Sequence, residues 1–285
     1  MTRLLGLVRQ AVADAVDDRT GANLSGGIDS STITTLALEI NPDMPVFTGF
    51  YDEGGTFDER RYARLVGARN HHEVQITAGD FVACFDAMCA HVRPPYQGPG
   101  AFGQYIVARY ASEHCQTVLS GEGGDELFGG YARLLAVAGE PLPDGYESYR
   151  PPADYPDDLV GALAYDWERL PDLLAVDDQM CGAWGLCAVA PFTDTRVVDF
   201  VLASRPEARI GKWMLKAAVR GVVPDEILAR RDKMGMPIPL VKWAQGPLRD
   251  FVGDRIGYVP DPGVPWDRGW WYDMLRASIP ETAAA

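Results

Sequence analysis

The chain has 285 residues, 47% of them hydrophobic and 23% charged, and its formal net charge at pH 7 is -14. This size and composition fit one large globular domain, or a domain with a helical extension, and exclude a disordered polymer. The negative charge repels phosphate backbones and argues against a nucleic-acid partner. An anionic small molecule would need local cations or a metal to be held. No apolar stretch reaches the roughly 20 residues that span a bilayer, so we expect no membrane partner.

Two features of the sequence predict a cytoplasmic protein. Residues 1–16 have the pattern of an amphipathic core helix rather than of a signal peptide, because apolar side chains recur at helical spacing, at Leu5, Val8, Val12 and Val16. The five cysteines are odd in number and include no CxxC pair, which indicates reduced, mostly buried thiols. A zinc site is disfavoured, since none of the four histidines is spaced with a cysteine as a ligand pair.

Apolar strand patterns alternate with helical patterns in the first half of the chain. The sequence predicts helices over 1–16, 30–40, 58–69, 80–92 and 101–113, and strands over 22–24, 45–50, 73–76 and 117–119. Strands separated by helices of this length imply parallel crossovers. We therefore predict an α/β fold built on an open, twisted parallel sheet flanked by helices.

A segment rich in proline, glycine and acidic residues interrupts the chain at 140–157 and predicts a linker. It separates an α/β core over 1–139 from a second half over 158–285. In that second half no strand pattern is convincing, and helices are expected over 159–186, 196–204, 212–219 and 240–251. We therefore expect the second half to be helical.

The first motif that carries chemistry lies where a predicted strand ends and a helix begins, and it reads Leu24-Ser25-Gly26-Gly27-Ile28-Asp29-Ser30-Ser31. The two glycines let the backbone turn tightly and approach a ligand, and the serines add donors at the helix start. Unpaired N–H groups at a helix N-terminus form an anion site. A lone Gly-Gly would be a turn before a serine cap, but the full string is much rarer, and it lacks the lysine of GxxxxGK[ST]. We interpret it as a pyrophosphate-binding loop.

A second motif follows the predicted strand over 117–119 and reads Ser120-Gly121-Glu122-Gly123-Gly124-Asp125-Glu126-Leu127-Phe128-Gly129-Gly130-Tyr131. It also lies at the carboxyl end of a strand, where open parallel sheets bind ligands. Its five glycines exceed what a solvated turn needs. The two motifs are placed to bring Asp29 and Asp125 together around a magnesium ion that bridges triphosphate oxygens.

In this order, the two motifs resemble the synthetase domain of asparagine synthetases, in the family that also contains β-lactam synthetases and lasso peptide cyclases. Two later parts extend the resemblance over nearly the whole chain: Asp178 to Gly185 with Pro191-Phe192-Thr193-Asp194, and Gly211-Lys212 to Val223-Pro224 with Arg230-Arg231-Asp232-Lys233-Met234-Gly235. The resemblance implies a PP-loop fold, like that of the adenine nucleotide alpha hydrolases, with 1–139 as the nucleotide-binding core and 158–285 completing the synthetase domain. It also implies ATP as a substrate and Mg²⁺ as a cofactor.

The resemblance implies roles for single residues. Together with the loop glycines and Ser31, the residues expected to bind ATP are Leu24, Ser25, Gly26, Gly27, Asp29, Ser30, Ser31, Thr48 and Gly121. Of these, Thr48 would contact adenine through its backbone. Asp29 and Asp125 would bind Mg²⁺. Glu122 matches the acid that takes a proton from the attacking amine, a suitable role because that amine becomes cationic. Lys233 matches the lysine that stabilises charge as the adenylate forms and breaks down, where the phosphorus and the departing pyrophosphate need cations.

Three departures from the family pattern bear on the substrates. The chain starts directly at the synthetase domain, so we expect free ammonia, a separate glutaminase subunit or an amine-bearing substrate to supply the nitrogen. Cys187 and Val189 stand where the family has glutamate and arginine, which removes either a structural ion pair or a substrate clamp. Arg93 stands where an acid is common, and it is either a surface cation or a change of acceptor. Against these, Glu122 favours asparagine-type chemistry over β-lactam formation, in which a tyrosine is usual.

We therefore expect an ATP-dependent, AMP-forming amide synthetase that adenylates an aspartate-like carboxylate, releases pyrophosphate and transfers the acyl group to ammonia or an amine. One alternative is ring closure or ligation on a peptide or small metabolite. Another is a weakly active subunit that docks a glutaminase through aromatic residues near the C-terminus, namely Trp266, Trp270, Trp271 and Tyr272. The same aromatics fit the plainer role of pinning the terminal segment to the core.

Overall fold

The computed structural model describes residues 2–94, 98–146, 149–233, 237–261 and 269–279. The strands in these ranges are β1 (Thr20–Asn23), β2 (Val46–Phe50), β3 (His71–Gln75), β4 (Thr117–Leu119) and β5 (Cys187–Val189). The helices of the first half are α1 (Thr2–Ala15), α2 (Ile28–Ile40), α3 (Arg60–Ala63), α4 (Ala78–Cys89), α5 (Gly100–Ala111), α6 (Gly124–Phe128) and α7 (Ala132–Ala138). Those of the second half are α8 (Leu159–Trp167), α9 (Leu170–Gly182), α10 (Thr195–Leu202), α11 (Trp213–Ala218), α12 (Asp225–Leu228), α13 (Leu240–Gln245), α14 (Arg249–Ile256) and α15 (Gly269–Ser278).

The five strands form one parallel sheet in the order β3-β2-β1-β4-β5. The chain winds outward from β1 to β2 and β3, and then crosses back to add β4 and β5 on the other side of β1. This reversal creates a switch point between β1 and β4, where open parallel sheets bind ligands beyond the carboxyl ends of the strands. Ala22 pairs with Leu119 in the register, so the two motifs leave the sheet side by side. The predicted α/β fold with a parallel sheet is confirmed.

Helices from both halves of the chain cover each face of the sheet. On one face α4 and α5 pack with α9, α13, α14 and α15, and on the other α1, α2 and α6 pack with α10, α11 and α12. Strand side chains alternate between the two cores, as period-two geometry requires: Val46 lies in one core and Phe47 in the other. The second half therefore contributes to both cores. The division of the chain at 140–157 stays a prediction.

The expectation that the second half contains no strand is wrong. Strand β5 pairs with β4 and extends the sheet beyond the switch point. It has three residues, of which Cys187 is exposed, and so few residues give no recognisable alternation of apolar and polar side chains. Residues 187–189 form a strand because they pair with β4, which is distant in sequence.

Three predicted helices are shorter or divided. The helix expected over 58–69 consists of α3 and a 3₁₀ turn at Arg64–Val66, which Gly67 ends with a φ of 73° in the left-handed region. The helix expected over 159–186 is divided into α8 and α9, and Pro171 lies in the first turn of α9. The helix expected over 240–251 is divided into α13 and α14 at Gly246, after which Pro247 cannot continue the helix.

The C-terminal aromatic residues lie against the core. Trp270 and Trp271 are 2% and 1% exposed, so the pinning role is confirmed for these two, while Trp266 lies outside the described residues. All five cysteines are free, and three of them are buried, as predicted. Within the described ranges no helix is long and apolar enough to cross a membrane.

Candidate active site

The two motif loops that follow β1 and β4 lie against each other at the switch point. A methyl group added at Gly121 would lie 2.6 Å from the backbone nitrogen of Ser30, which is closer than side-chain carbons approach. One added at Gly124 would overlap the carboxylate of Asp29. Glycine at these two positions permits the contact, and the two motifs therefore form one site.

The first loop leads into the N-terminus of α2. Gly27 precedes the helix, and no side chain caps it there. The Ser25 and Ser30 hydroxyl oxygens lie 3.0 Å apart, and the backbone nitrogen of Ser25 donates to Ser30 Oγ at 3.1 Å, which ties the loop to the first helical turn. Gly26 has a φ of 69°, as a tight turn requires, and Ser31 is fully buried. The first-turn N–H groups of α2 are thus placed to receive an anion.

Thr48 joins the first loop to the outer strands. Its hydroxyl donates to the carbonyl of Leu24 at 2.6 Å and lies 2.8 Å from Nε2 of His71. Because the hydroxyl proton is used on the carbonyl, Nε2 of His71 must carry the proton in this pair. Both Thr48 and Leu24 are 1% exposed, so the link is shielded from water. Sequence reasoning missed His71.

Asp29 and Asp125 come together around a lysine that the sequence prediction gave no role. The ammonium of Lys212 pairs with Asp29 and lies 2.7 Å from Asp125 Oδ1. In the described part of the chain Lys212 is also the only non-glycine residue with a positive φ, 62°. Burial disfavours its charged form, but Asp125 and Asp29 outweigh burial and raise the pKa of the ammonium above its ordinary value. Its unusual backbone conformation arises from tertiary contacts, and the local pattern gave no signal for it.

The two carboxylates fit a magnesium ion. Burial is the main cause that raises the pKa of Asp29, Asp125 adds to it, and Lys212 opposes it. Asp29 Oδ1 is buried without a hydrogen-bond partner among the described residues. Mg²⁺ accepts one or two carboxylates together with phosphate oxygens and water. The described residues contain no cluster of three metal-ligating side chains, so a metal here would need substrate oxygens to complete its shell.

The segment that carries Lys233 lies over the first loop. Arg230 donates to the carbonyl of Gly26 at 2.9 Å and pairs with Glu59 at 2.7 Å. Lys233 also pairs with Glu59, and its Cε would lie 3.1 Å from a methyl group added at Gly27. Two cations therefore reach the first loop, and one of them, Lys233, was predicted to lie at the site. Arg230 lies in the segment that carried the resemblance, whereas no sequence signal indicated Glu59.

Glu122 lies in the second loop among other acids. Its backbone nitrogen donates to Ser120 Oγ at 3.4 Å. Burial raises the pKa of Glu122 well above its ordinary value, and the charges of Asp177 and Glu126 raise it further. Burial likewise raises the pKa of Glu126 to about 7, although the Tyr131 hydroxyl donates to it and opposes the shift. The loop thus presents two carboxyl groups whose pKa is raised above its ordinary value, Glu122 and Glu126.

Comparison with known proteins shows the family of the chain. The family model described as asparagine synthase matches residues 3–261. The chain belongs to the asparagine synthase family. It is 27% identical to asparagine synthetase [glutamine-hydrolyzing] 1 of Bacillus subtilis (strain 168) over 89% of this chain and 52% of that relative. It is 29% identical to a putative asparagine synthetase [glutamine-hydrolyzing] of Mycobacterium tuberculosis (strain ATCC 25618 / H37Rv), over 85% and 48% respectively. The chain therefore spans about half the length of these curated relatives.

Two of the three positions at which this asparagine synthase family chain departs from the family pattern lie on the edge strand of the sheet, and the third follows α4. Cys187 is exposed and Val189 half-buried, both on β5, which is the edge strand beside β4. Arg93 is exposed, and its guanidinium donates to the carbonyls of Ala90 and Val92 at 2.9 Å, just after α4. These contacts agree with a surface cation at Arg93. A role for Arg93 in choosing the acceptor stays a prediction.

Proposed function

We propose that the protein is an ATP-dependent, AMP-forming amide synthetase, which adenylates a carboxylate and transfers the acyl group to ammonia or an amine. One observation carries the proposal: the loops after β1 and β4 meet at the switch point, where Asp29 and Asp125 share one cation. Membership of the asparagine synthase family supports it, as do the names of the relatives. The proposed carboxylate is aspartate-like.

In the first step a carboxylate oxygen attacks the α-phosphorus of ATP, which forms the acyl-adenylate and releases pyrophosphate. The N–H groups at the start of α2 and the hydroxyls of Ser25 and Ser30 bind the departing phosphates. Lys233 and Arg230, beside the same loop, offset the negative charge that grows there. Asp29 and Asp125 would hold Mg²⁺, which when bound neutralises charge on the triphosphate.

In the second step the amine nitrogen attacks the acyl carbon, the bond from that carbon to the phosphate oxygen breaks, and AMP leaves. The attacking nitrogen becomes cationic and must lose a proton, which Glu122 accepts. A carboxyl group whose pKa is raised by burial suits this role, because its carboxylate is a stronger base than an ordinary one.

Exchange of labelled pyrophosphate into ATP tests the first step, with a screen across carboxylic acids that includes aspartate. We expect exchange with one acid in the absence of any amine. Asp29→Asn should lower the exchange rate at least about a hundredfold, because the carboxylate that positions charge on the triphosphate is lost. The control is Asp43→Asn, whose side chain is 81% exposed and should have no effect. Retained exchange in Asp29→Asn would overturn the site assignment.

Ring closure or ligation within a biosynthetic reaction is the second candidate. Cys187 and Val189 on β5 favour it, because the family pattern has a glutamate and an arginine at these two positions. Identification of the product separates the candidates: asparagine formed from aspartate, ATP and ammonium supports the first. An acid other than aspartate that supports exchange, with no asparagine formed, supports the second.

A further inference from the structure

One carboxylate that the proposed chemistry does not use holds the segment that carries Lys233. Glu59, just before α3, pairs through Oε1 with Nη2 of Arg230 at 2.7 Å and through Oε2 with the ammonium of Lys233. The side chains of Glu59 and Arg230 are 14% and 5% exposed. Salt screens partly buried pairs much less than exposed ones. A single side chain therefore fixes the place of two cations beside the first loop.

The guanidinium of Arg230 is bonded to protein acceptors through all three of its nitrogens. Nη1 donates to the carbonyl of Gly26 at 2.9 Å, Nη2 to Glu59 at 2.7 Å, and Nε to Asp232 at 2.9 Å. The group also lies over the ring of Tyr62, 3.6 Å from its centroid. Because the guanidinium is planar and rigid, these contacts fix its orientation. Arg230 thus links the start of α3 to the first loop.

This link determines which way the peptide between Gly26 and Gly27 faces. The C=O and N–H of a trans peptide point in opposite directions. Arg230 holds the carbonyl of Gly26, so the N–H of Gly27 points to the other side. There Ser25 Oγ lies 3.4 Å from the Gly27 nitrogen and 3.0 Å from Ser30 Oγ. The N–H is therefore directed to the side of the loop on which the serine hydroxyls lie.

The first loop also packs tightly against the residues that follow Glu59. A methyl group added at Gly26 would lie 2.8 Å from Tyr62 Cβ and 2.9 Å from the backbone nitrogen of Ala63. The backbone nitrogen of Tyr62 in turn donates to the carbonyl of Glu59 at 3.0 Å. Glu59 is thus connected to the loop through its backbone as well as through its side chain.

We propose that Glu59 is a positioning residue for the first loop, which orients Arg230 and Lys233 and through them the N–H groups that bind the departing pyrophosphate. Its part in the reaction rests on the proposed function. Positioning and charge alone predict opposite results when Glu59 is neutralised. Removing a negative charge beside an anion site strengthens anion binding. Losing the orientation of the loop and its cations weakens it.

Isothermal titration calorimetry of inorganic pyrophosphate with Mg²⁺, on the full chain at about 0.15 M salt, tests the proposal. Glu59→Gln should raise the dissociation constant at least about fivefold, because two charge-assisted hydrogen bonds are lost. A purely structural role would lower the number of binding sites per chain and leave the dissociation constant unchanged. Glu73→Gln is the matched control, since Glu73 pairs with Arg60 and Arg64. It should change the dissociation constant less than about twofold.

Arg230→Lys provides an independent variant, because it keeps the positive charge and removes the fork that bonds Gly26 and Glu59. It should weaken pyrophosphate binding at least about threefold, whereas charge alone predicts no change. If Glu59→Gln does not fold, Arg230→Lys decides the question. Unchanged or tighter binding in either folded variant would overturn the proposal, as would absence of binding in the wild type.

The exchange of labelled pyrophosphate into ATP separates this proposal from the proposed function. Exchange in the wild type, with equal dissociation constants in wild type and Glu59→Gln, contradicts only the positioning role. Pyrophosphate binding that Glu59→Gln weakens, without exchange for any carboxylic acid, supports the positioning role and contradicts only the proposed function.

Discussion

Lys212 holds together two carboxylates that would otherwise repel each other. Its ammonium lies 2.7 Å from Asp125 Oδ1 and pairs with Asp29, and the residue is only 8% exposed. A left-handed backbone at a lysine costs on the order of 1 kcal/mol, so the surrounding contacts must stabilise this conformation. The ion pairs therefore contribute both to folding and to the geometry of the site.

Replacing Lys212 with methionine should destabilise the fold by about 3 kcal/mol, because the change leaves two like charges partly buried without a cation. Urea unfolding followed by circular dichroism measures the change in the free energy of unfolding. Lys242→Met is the control, since Lys242 is exposed on α13 and should change stability by less than about 0.5 kcal/mol. Equal changes in the free energy of unfolding for the two substitutions would show that the ion pairs of Lys212 with Asp29 and Asp125 do not stabilise the fold.

The buried carboxyl of Asp177 should make stability depend on pH. Its folded-state pKa of about 6 exceeds the ordinary 3.8, mainly through burial, so the folded protein holds this proton more tightly than the unfolded chain does. Its contribution is fully present below about pH 4 and is lost as the pH rises through about 6. Between these two pH values the free energy of unfolding of the wild type should fall by on the order of 2 kcal/mol relative to that of Asp177→Asn. Urea unfolding of both proteins across this range checks it, and parallel stability curves would refute the assignment.

At the scale of elements, the sequence predicts best what local periodicity and turn chemistry decide. The loops that contain Asp29, Glu122 and Asp125 follow β1 and β4 as predicted, because glycine-rich strings at strand ends carry a local signal. The roles of these three residues stay predictions. Strand β5 and the pairing of Lys212 with both acids were missed, since each depends on contacts between residues distant in sequence. Gly67 and Pro171 carry local signals for a helix end and a helix start, but the predicted helices extended across both positions.

Helix α15 should contribute strongly to stability through one tryptophan. Trp271 is 1% exposed, and its ring centroid lies 5.7 Å from that of Phe85 on α4. Trp271→Ala should cost about 3 to 5 kcal/mol, because it removes a large buried side chain and leaves a cavity. Trp213→Ala, at a position 58% exposed, is the matched control and should have little effect in thermal unfolding. Similar losses in both variants would contradict the pinning of α15 to α4.

At the scale of the molecule, an acidic protein concentrates cations at one edge of its sheet. The chain has 40 acidic against 26 basic residues, and an anion would bind poorly to most of its surface. Arg230 and Lys233 reach the first loop, and Lys212 lies between Asp29 of the first motif and Asp125 of the second. The composition predicted that local cations were needed, but only the fold shows which ones gather at the switch point.

The central claim is that a carboxylate is activated as an acyl-adenylate, and oxygen transfer tests it most directly. The acid that supports pyrophosphate exchange is labelled with ¹⁸O in its carboxylate and converted with ATP and an amine, and the nucleotide product is analysed by mass spectrometry. Because the carboxylate oxygen that attacks the α-phosphorus stays on it when the amide forms, the account predicts one ¹⁸O atom in AMP. Unlabelled AMP, or ADP with the label in inorganic phosphate, would contradict it.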